Sequence, residues 1–216
     1  MVATVSFLIV VRHDALQLVG RIAEVQDYVD EIIVVHDGKC EDETAAVARR
    51  CGAKVTEATY EGYCEPQRML GLAKCSCDWV LVGDADEVFE PKFLKNLRGI
   101  IGQAEYVGCD GVALGRLEYN MEPSAVWRHV RLFKRTAVIL SDVIHSGPKG
   151  LAKVLKLDGF QFVHYSVTDG PGGDPEAVHE KNLRYDAIQE RLRVKYADRP
   201  EVVEEFLSAA YDVGDE

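Results

Sequence analysis

The sequence predicts an α/β protein: a mostly parallel sheet flanked by helices, extended by a mixed-strand half and closed by C-terminal helices. Three observations lead there. Buried-looking β-branched runs alternate with segments of helical period through residues 5–101. After residue 105 the alternation gives way to strand candidates with few helices between them. Finally, "CDWVLVGDADEVFEP" (77–91) ends an apolar run in Asp84, Asp86 and Glu87. Strand–helix–strand alternation implies parallel pairing through right-handed crossovers. In such sheets, ligands bind at the carboxyl ends of the strands.

Taken in order, "TVSFLIVV" (4–11) is a continuous apolar run, as a strand buried on both faces requires. Leu18, Ile22, Val25 and Val29 then recur at helical spacing within 16–29. "EIIVV" (31–35) is a second buried strand, and "DETAAVARRCG" (42–52) a helix with Asp42 as N-cap and Gly52 at its end. "AKVTEA" (53–58) is a short strand. "EPQRMLGLA" (65–73) and "PKFLKNLRGII" (91–101) are helices opened by prolines, with the strand "DWVLVG" (78–83) between them. Four strand candidates follow, at 105–120, 125–135, 137–145 and 159–167. "DGPGGDP" (169–175) is a flexible loop and a candidate lid, and helices are expected at 176–196 and 200–212. All of this fits a single domain, 1–216, with segments 1–104, 105–168 and 169–216.

Bulk properties narrow the function. With 47% hydrophobic and 28% charged residues, the composition is that of an ordinary globular protein. A net charge of −11 gives no signal for nucleic acid or an anionic membrane as partner. The N-terminal apolar run is too short to span a bilayer and lacks a signal peptide's charged region, so no transmembrane segment is expected. Six scattered cysteines without metal-ligand spacing suggest reduced thiols and a cytoplasmic protein.

The chemistry should gather at three strand ends: Arg12-His13-Asp14, "HDGKCEDET" (36–44) and "GDADE" (83–87). Asp84 and Asp86, two apart on extended backbone, direct their side chains the same way. Two hard oxygen ligands with open positions left over suit Mg²⁺ or Mn²⁺ held jointly with a diphosphate. Such a cation would offset the repulsion between the carboxylates. Glu87 reads as an outward or structural carboxylate. Arg128, His129, Arg131, Lys134 and Arg135 form a basic island in an acidic chain. It could hold phosphate or an anionic acceptor, although the composition favours a solvated strand face, with Arg131 and His129 on one side.

At these residues the sequence resembles the family 2 glycosyltransferases of GT-A (Rossmann-like) fold. The segments that carry the likeness are "VSFLIVVRHD", "EIIVVHDGKCEDET", "EPQRMLGLAKCSCDWVLVGDADE" and "RLFKR…VIHS". It covers roughly the first 165 residues and is nearest to small lipopolysaccharide-core β-glucosyltransferases. The resemblance implies a metal-dependent, inverting enzyme. Its donor would be a nucleotide sugar, UDP-linked by preference, bound in the 1–104 half. Its acceptor would be a glycan, a lipid-linked saccharide or another hydroxyl, met in the 105–168 half. It further implies that Asp37 contacts the nucleobase, that Arg68 lies near base or diphosphate, and that Asp84 and Asp86 are the D-x-D, with Asp86 the direct metal ligand and Asp84 nearer the ribose or metal. His145 and His164 fall where relatives carry histidines. Departures are His36 for the first aspartate, "GKCED" for Gly-Ser-Thr-Asp, Met69 for an asparagine and "RHD" for Asn-Glu. The Glu-Asp dipeptide of larger relatives is absent from the acceptor half.

An inverting transfer needs a general base, for which Asp142 and His145 are the candidates, Asp142 slightly preferred, with Glu118 third. His164 could complete the metal sphere or contact phosphate; for each histidine a purely structural role is an equal reading. A sugar-1-phosphate nucleotidyltransferase and a non-catalytic nucleotide-binding module are the alternatives.

Overall fold

The computed structural model describes residues 2–119, 127–165, 175–202 and 204. Its centre is an eight-stranded sheet in the order β3-β2-β1-β4-β7-β6-β8-β5. The strands are β1 (Val5–Val11), β2 (Glu31–Asp37), β3 (Lys54–Ala58), β4 (Trp79–Asp84), β5 (Glu87–Phe89), β6 (Gly111–Glu118), β7 (Trp127–Lys134) and β8 (Val154–His164). β1, β2, β3 and β4 pair in parallel, as the alternation predicted. β7 runs antiparallel to β4 and to β6, β6 is parallel to β8, and β5 is antiparallel to β8.

The helices named among the described residues are α1 (Ala15–Val25), α2 (Thr44–Arg50), α3 (Glu65–Lys74), α4 (Pro91–Tyr106) and α5 (Pro175–Lys195). Strand alternation divides the core between two faces. Phe7, Ile9, Val34, Trp79 and Leu81 pack with Leu18, Ile22, Phe93 and Leu97 of α1 and α4. Leu8, Ile33, Val35, Val80 and Val82 form a second cluster on the α3 side. Gly71 brings α3 close to the sheet: a Cβ there would stand 2.2 Å from Leu8 Cδ1. A third, smaller cluster joins Ile188 and Leu192 of α5 to Tyr63, Val143 and Ile144.

The expected elements of the first hundred residues all form. Asp42 Oδ1 accepts the Thr44 N–H at 2.9 Å, one residue ahead of the assigned N-cap Glu43. The strand predicted at 137–145 does not form: only the isolated bridge Ile139–Lys149 is present. Its apolar residues Val143 and Ile144 are buried against α5 instead, and Ser141 Oγ accepts the Val143 N–H at 3.0 Å in a tight turn. Residues 105 and 106 close α4 and do not open a strand. β5, unforeseen, fixes Glu87 inside the fold. The candidate lid at 169–175 and the helix expected at 200–212 fall mostly outside the described residues. No helix among those described is long and apolar enough to cross a membrane.

Candidate active site

The carboxyl ends of β1, β2 and β4 lie in register: Val10 pairs with Val35 and Asp84, and Val11 with His36. On this edge opens a cleft of about 450 Å³. Asp84, Asp86, Arg68, Arg116, Arg131, His145 and His164 all line it, and Val82, Phe133, Leu140 and Ile144 add apolar wall. The two D-x-D carboxylates therefore do face one cavity.

Their partners differ. Both oxygens of Asp84 accept from Arg68 Nη2, at 2.5 and 2.7 Å, with Arg131 Nη2 3.6 Å away. Burial raises the Asp84 pKa, but Arg68 and then Arg131 outweigh it and bring it down to about 2. Asp86 is nearly half exposed and meets His164 Nε2 at 3.2 Å. His164 Nδ1 lies 2.7 Å from Glu118 Oε2 and 2.9 Å from Arg116 Nη2. Only the carboxylate can accept a proton from Nδ1, so that proton points to Glu118. Burial disfavours the charged imidazole, yet hydrogen bonds to Asp86 and Glu118 prevail and raise its pKa. Glu87 is fully buried, not outward, and pairs with Arg131 while its Oε2 accepts the Asp84 N–H at 3.3 Å. Burial pushes its carboxyl up to about 7 against the pull of Arg131.

The basic island divides. Arg128, His129 and Arg131 reach the cleft, which corrects the solvated-face reading. Lys134 pairs instead with Asp110 at 3.4 Å, and Arg135 Nε donates to the Cys77 carbonyl at 2.9 Å. His129 and Arg131 share a face, since both stand against the Phe162 ring. The pairing of β7 with β6 steps from Val112–Leu132 to Ala113–Val130, leaving Arg131 as the extra residue of a bulge. Bulges re-aim side chains beside sites, and this one presents a guanidinium to the D-x-D. Burial, with Arg131 and Arg116 nearby, pushes His129 down to about 3, so this imidazole stays neutral.

The two candidate bases separate. Asp142 does not line the cleft; it accepts from Tyr196 Oη at 2.6 Å and pairs with Lys195, tying the 141–146 turn to α5. That corrects the preference for Asp142. His145 does line the cleft, at φ 62°, with its N–H donated to Glu65 Oε1 at 2.7 Å and its ring edge-on to Tyr185. A non-glycine residue held in the left-handed region is a constraint of the kind found at functional sites.

Asp37 lies outside the cleft lining. It is buried at the end of β2, accepts from Gln67 Nε2 at 2.7 Å, and burial raises its pKa. Beside it Gly38 turns at φ 99°, close against Tyr60, whose ring lies under the Arg12 guanidinium at 3.4 Å. Sequence reading missed Arg116 and Gln67, which no motif marks: the sheet order brings Arg116 to the cleft, and α3 brings Gln67 to Asp37.

Residues 6–168 match the family model "Glycosyl transferase family 2". The chain is 36% identical over 103 residues to a TPR repeat-containing protein of Synechococcus elongatus, covering 48% of this chain and 25% of that one. It is 37% identical over 83 residues to an uncharacterized glycosyltransferase of Rickettsia felis, covering 38% of this chain and 29% of that one. The chain thus spans between a quarter and a third of these relatives. Among solved structures it is similar to S. aureus TarS 1-349 (TM-score 0.58, 12% identity, 75% of this chain and 60% of that). It also resembles mannosyl-3-phosphoglycerate synthase from Rubrobacter xylanophilus (TM-score 0.55, 19% identity, 89% and 75%). The mannosyltransferase PcManGT from Pyrobaculum calidifontis, solved with GDP-Man and Mn²⁺, gives a TM-score of 0.57 at 12% identity, over 88% and 65%. With the matched region spanning the parallel strands, the D-x-D end and the arginine-lined cleft, the chain belongs to glycosyl transferase family 2 and has the GT-A fold.

Proposed function

We propose that this chain transfers a sugar from a nucleoside-diphosphate sugar, UDP-linked by preference, to a hydroxyl of a glycan, lipid-linked saccharide or similar acceptor, with inversion. One observation carries the reading: two strand-end carboxylates and the guanidiniums of Arg68, Arg116 and Arg131 face a single cleft. Guanidiniums in that number suit a diphosphate, whose oxygens accept paired N–H donors. Family membership favours transfer over nucleotidyl transfer or mere binding. TarS 1-349 has also been solved with UDP-GlcNAc.

A divalent cation, Mn²⁺ or Mg²⁺, fits Asp86 better than Asp84. Asp84 has both oxygens on Arg68, whereas Asp86 has one imidazole contact and open access. Asp84, Asp86 and His164 do not form a group with all ligand atoms within 4.8 Å among the described residues. Asp86 and His164 would therefore hold the ion with the donor's phosphates completing its sphere, and Asp84 would orient Arg68. The cation supplies charge neutralisation at the leaving diphosphate. In this reading the nucleobase would rest beside the cleft, against Asp37, Gly38, Arg12 and Tyr60 at the ends of β1, β2 and β3. His145 is the acceptor's general base, because it is the candidate that reaches the cleft.

The test is nucleotide release from a panel of nucleotide sugars with Mn²⁺. At least one UDP-sugar should be turned over slowly, and Asp86→Ala should abolish the release. Once an acceptor is found, His145→Ala should retain UDP binding and lose on the order of 10²-fold or more in transfer. Unchanged turnover in Asp86→Ala would remove the metal assignment.

A further inference from the structure

Outside the cleft, the loop from β2 to α2 gathers a second set of cation-binding side chains. A ring nitrogen of His36, Cys40 Sγ and an Asp42 carboxylate oxygen lie within 4.8 Å of one another, the only such group of three among the described residues. His13, just past β1, adds a fourth group: its Nδ1 is 3.4 Å from Asp42 Oδ2 and its ring stands edge-on to His36. The site is separate from the donor side of the strand. Asp37 turns to Gln67 of α3, and His36, one residue earlier, points to the opposite face of β2.

The telling atom is His36 Nε2. His36 is fully buried, yet this nitrogen has no hydrogen-bond partner. Its Nδ1 lies 2.9 Å from the Gly38 carbonyl, which can only accept. The proton is therefore on Nδ1 and the lone pair on Nε2. A carbonyl that fixes the tautomer through one nitrogen, leaving the other open, is how proteins prepare a histidine to bind a metal. The thiol is held as well: Cys40 Sγ accepts the Ala45 N–H at 3.4 Å and lies 3.5 Å from Asp42 Oδ1. Tetrahedral zinc bonds of about 2.0–2.3 Å put ligand atoms roughly 3.5 Å apart. Two pairs stand at that spacing, each on its own carboxylate oxygen: His13 Nδ1 with Asp42 Oδ2 at 3.4 Å and Cys40 Sγ with Asp42 Oδ1 at 3.5 Å.

The geometry points to a Zn²⁺ site made by His13, His36, Cys40 and Asp42. Two imidazoles, one thiolate and one carboxylate suit zinc, whereas a thiolate is a poor ligand for the harder Mg²⁺ and Mn²⁺. Binding releases the Cys40 thiol proton to solvent. The ion clamps the ends of β1 and β2 to the loop before α2, and so fixes the backbone of Asp37 and Gly38, which lie between its ligands.

The test titrates metal-free protein with Co²⁺ alone. One equivalent should give a sulfur-to-cobalt charge-transfer band and the visible bands of four-coordinate cobalt, both abolished by Zn²⁺. Cys40→Ser should remove the charge-transfer band, and His36→Gln should weaken Co²⁺ binding by roughly tenfold or more. Cys64→Ser and Asp86→Ala should keep the band, which separates this site from the cleft. No charge-transfer band at saturating Co²⁺, or a band that survives Cys40→Ser, overturns the proposal. If the variants fail to fold, zinc X-ray absorption of the unmodified protein decides: one sulfur in the coordination shell supports the site, and a shell of nitrogen and oxygen alone refutes it.

Discussion

Asp84 and Asp86 stand two residues apart, yet their surroundings give them different work. Asp84 is committed to Arg68 and held low, whereas Asp86 meets, at 3.2 Å, a histidine whose pKa is raised. The D-x-D pattern and its strand end were legible in the sequence. The resemblance already implied different roles for the two; the partners that set them apart were not legible, because Arg68 arrives from α3, and Glu118 and His164 from β6 and β8. The Asp86–His164–Glu118 chain has a measurable consequence. His164 binds its proton more tightly in the folded than in the unfolded protein, whose histidine titrates near 6.5. Its stabilising contribution is therefore complete below about pH 6.5 and fades as pH rises through the higher folded-state value. Glu118→Gln removes one of the two carboxylates, so the His164 midpoint, followed by imidazole NMR without metal, should fall. The loss of stability over that pH window should shrink with it. An unmoved midpoint would show that Glu118 does not hold the His164 proton.

Helices and strands of regular period were readable wherever one face had to be buried. The failures have physical causes. The 137–145 run is as apolar as a strand, but Val143 and Ile144 serve the small cluster under α5, so the run folds as a turn. β5 has three residues, too few to carry a period. The bulge at Arg131 depends on which strand lies opposite, and that is a property of the sheet. Glycines give a test at this scale. Gly71 faces the sheet so closely that a Cβ would overlap Leu8 and touch Val35, whereas Gly99, exposed on α4, has nothing within 4 Å. Gly71→Ala should therefore destabilise by about 1–3 kcal/mol through overpacking. Gly99→Ala should stabilise by about 0.5–1 kcal/mol, because alanine loses less backbone entropy in a helix. Urea midpoints at equal m-value would measure both. Equal effects at the two positions would contradict the close approach of α3.

Across the whole molecule, charge is distributed against its own average. The chain carries −11, yet Arg68, Arg116, Arg128 and Arg131 converge on one cleft. That the acidic end of β4 would face a site was evident from the topology rule for parallel sheets, although Asp37 of β2 stays outside the cleft; that Arg116 would join Arg68 and the basic island there was not, since β6 and β7 enter the sheet out of sequence order. A dianionic nucleotide approaching this protein meets two fields of different range. Repulsion by the net charge is long-ranged, and screening removes it first, as the Debye length shrinks from about 30 Å at 0.01 M salt to about 10 Å at 0.1 M. Attraction by guanidiniums in contact with the phosphates survives until the Debye length nears about 3 Å, at 1 M. UDP affinity, titrated calorimetrically with Mn²⁺ at constant pH, should therefore hold or rise between 0.01 and 0.1 M salt and fall towards 1 M (about the same spans of screening). Arg131→Gln should flatten the falling branch and leave the rising one. A steep fall from the lowest salt onward would mean that the cleft's own field already dominates at long range. An affinity indifferent to salt throughout would mean that these arginines do not meet the phosphates at all.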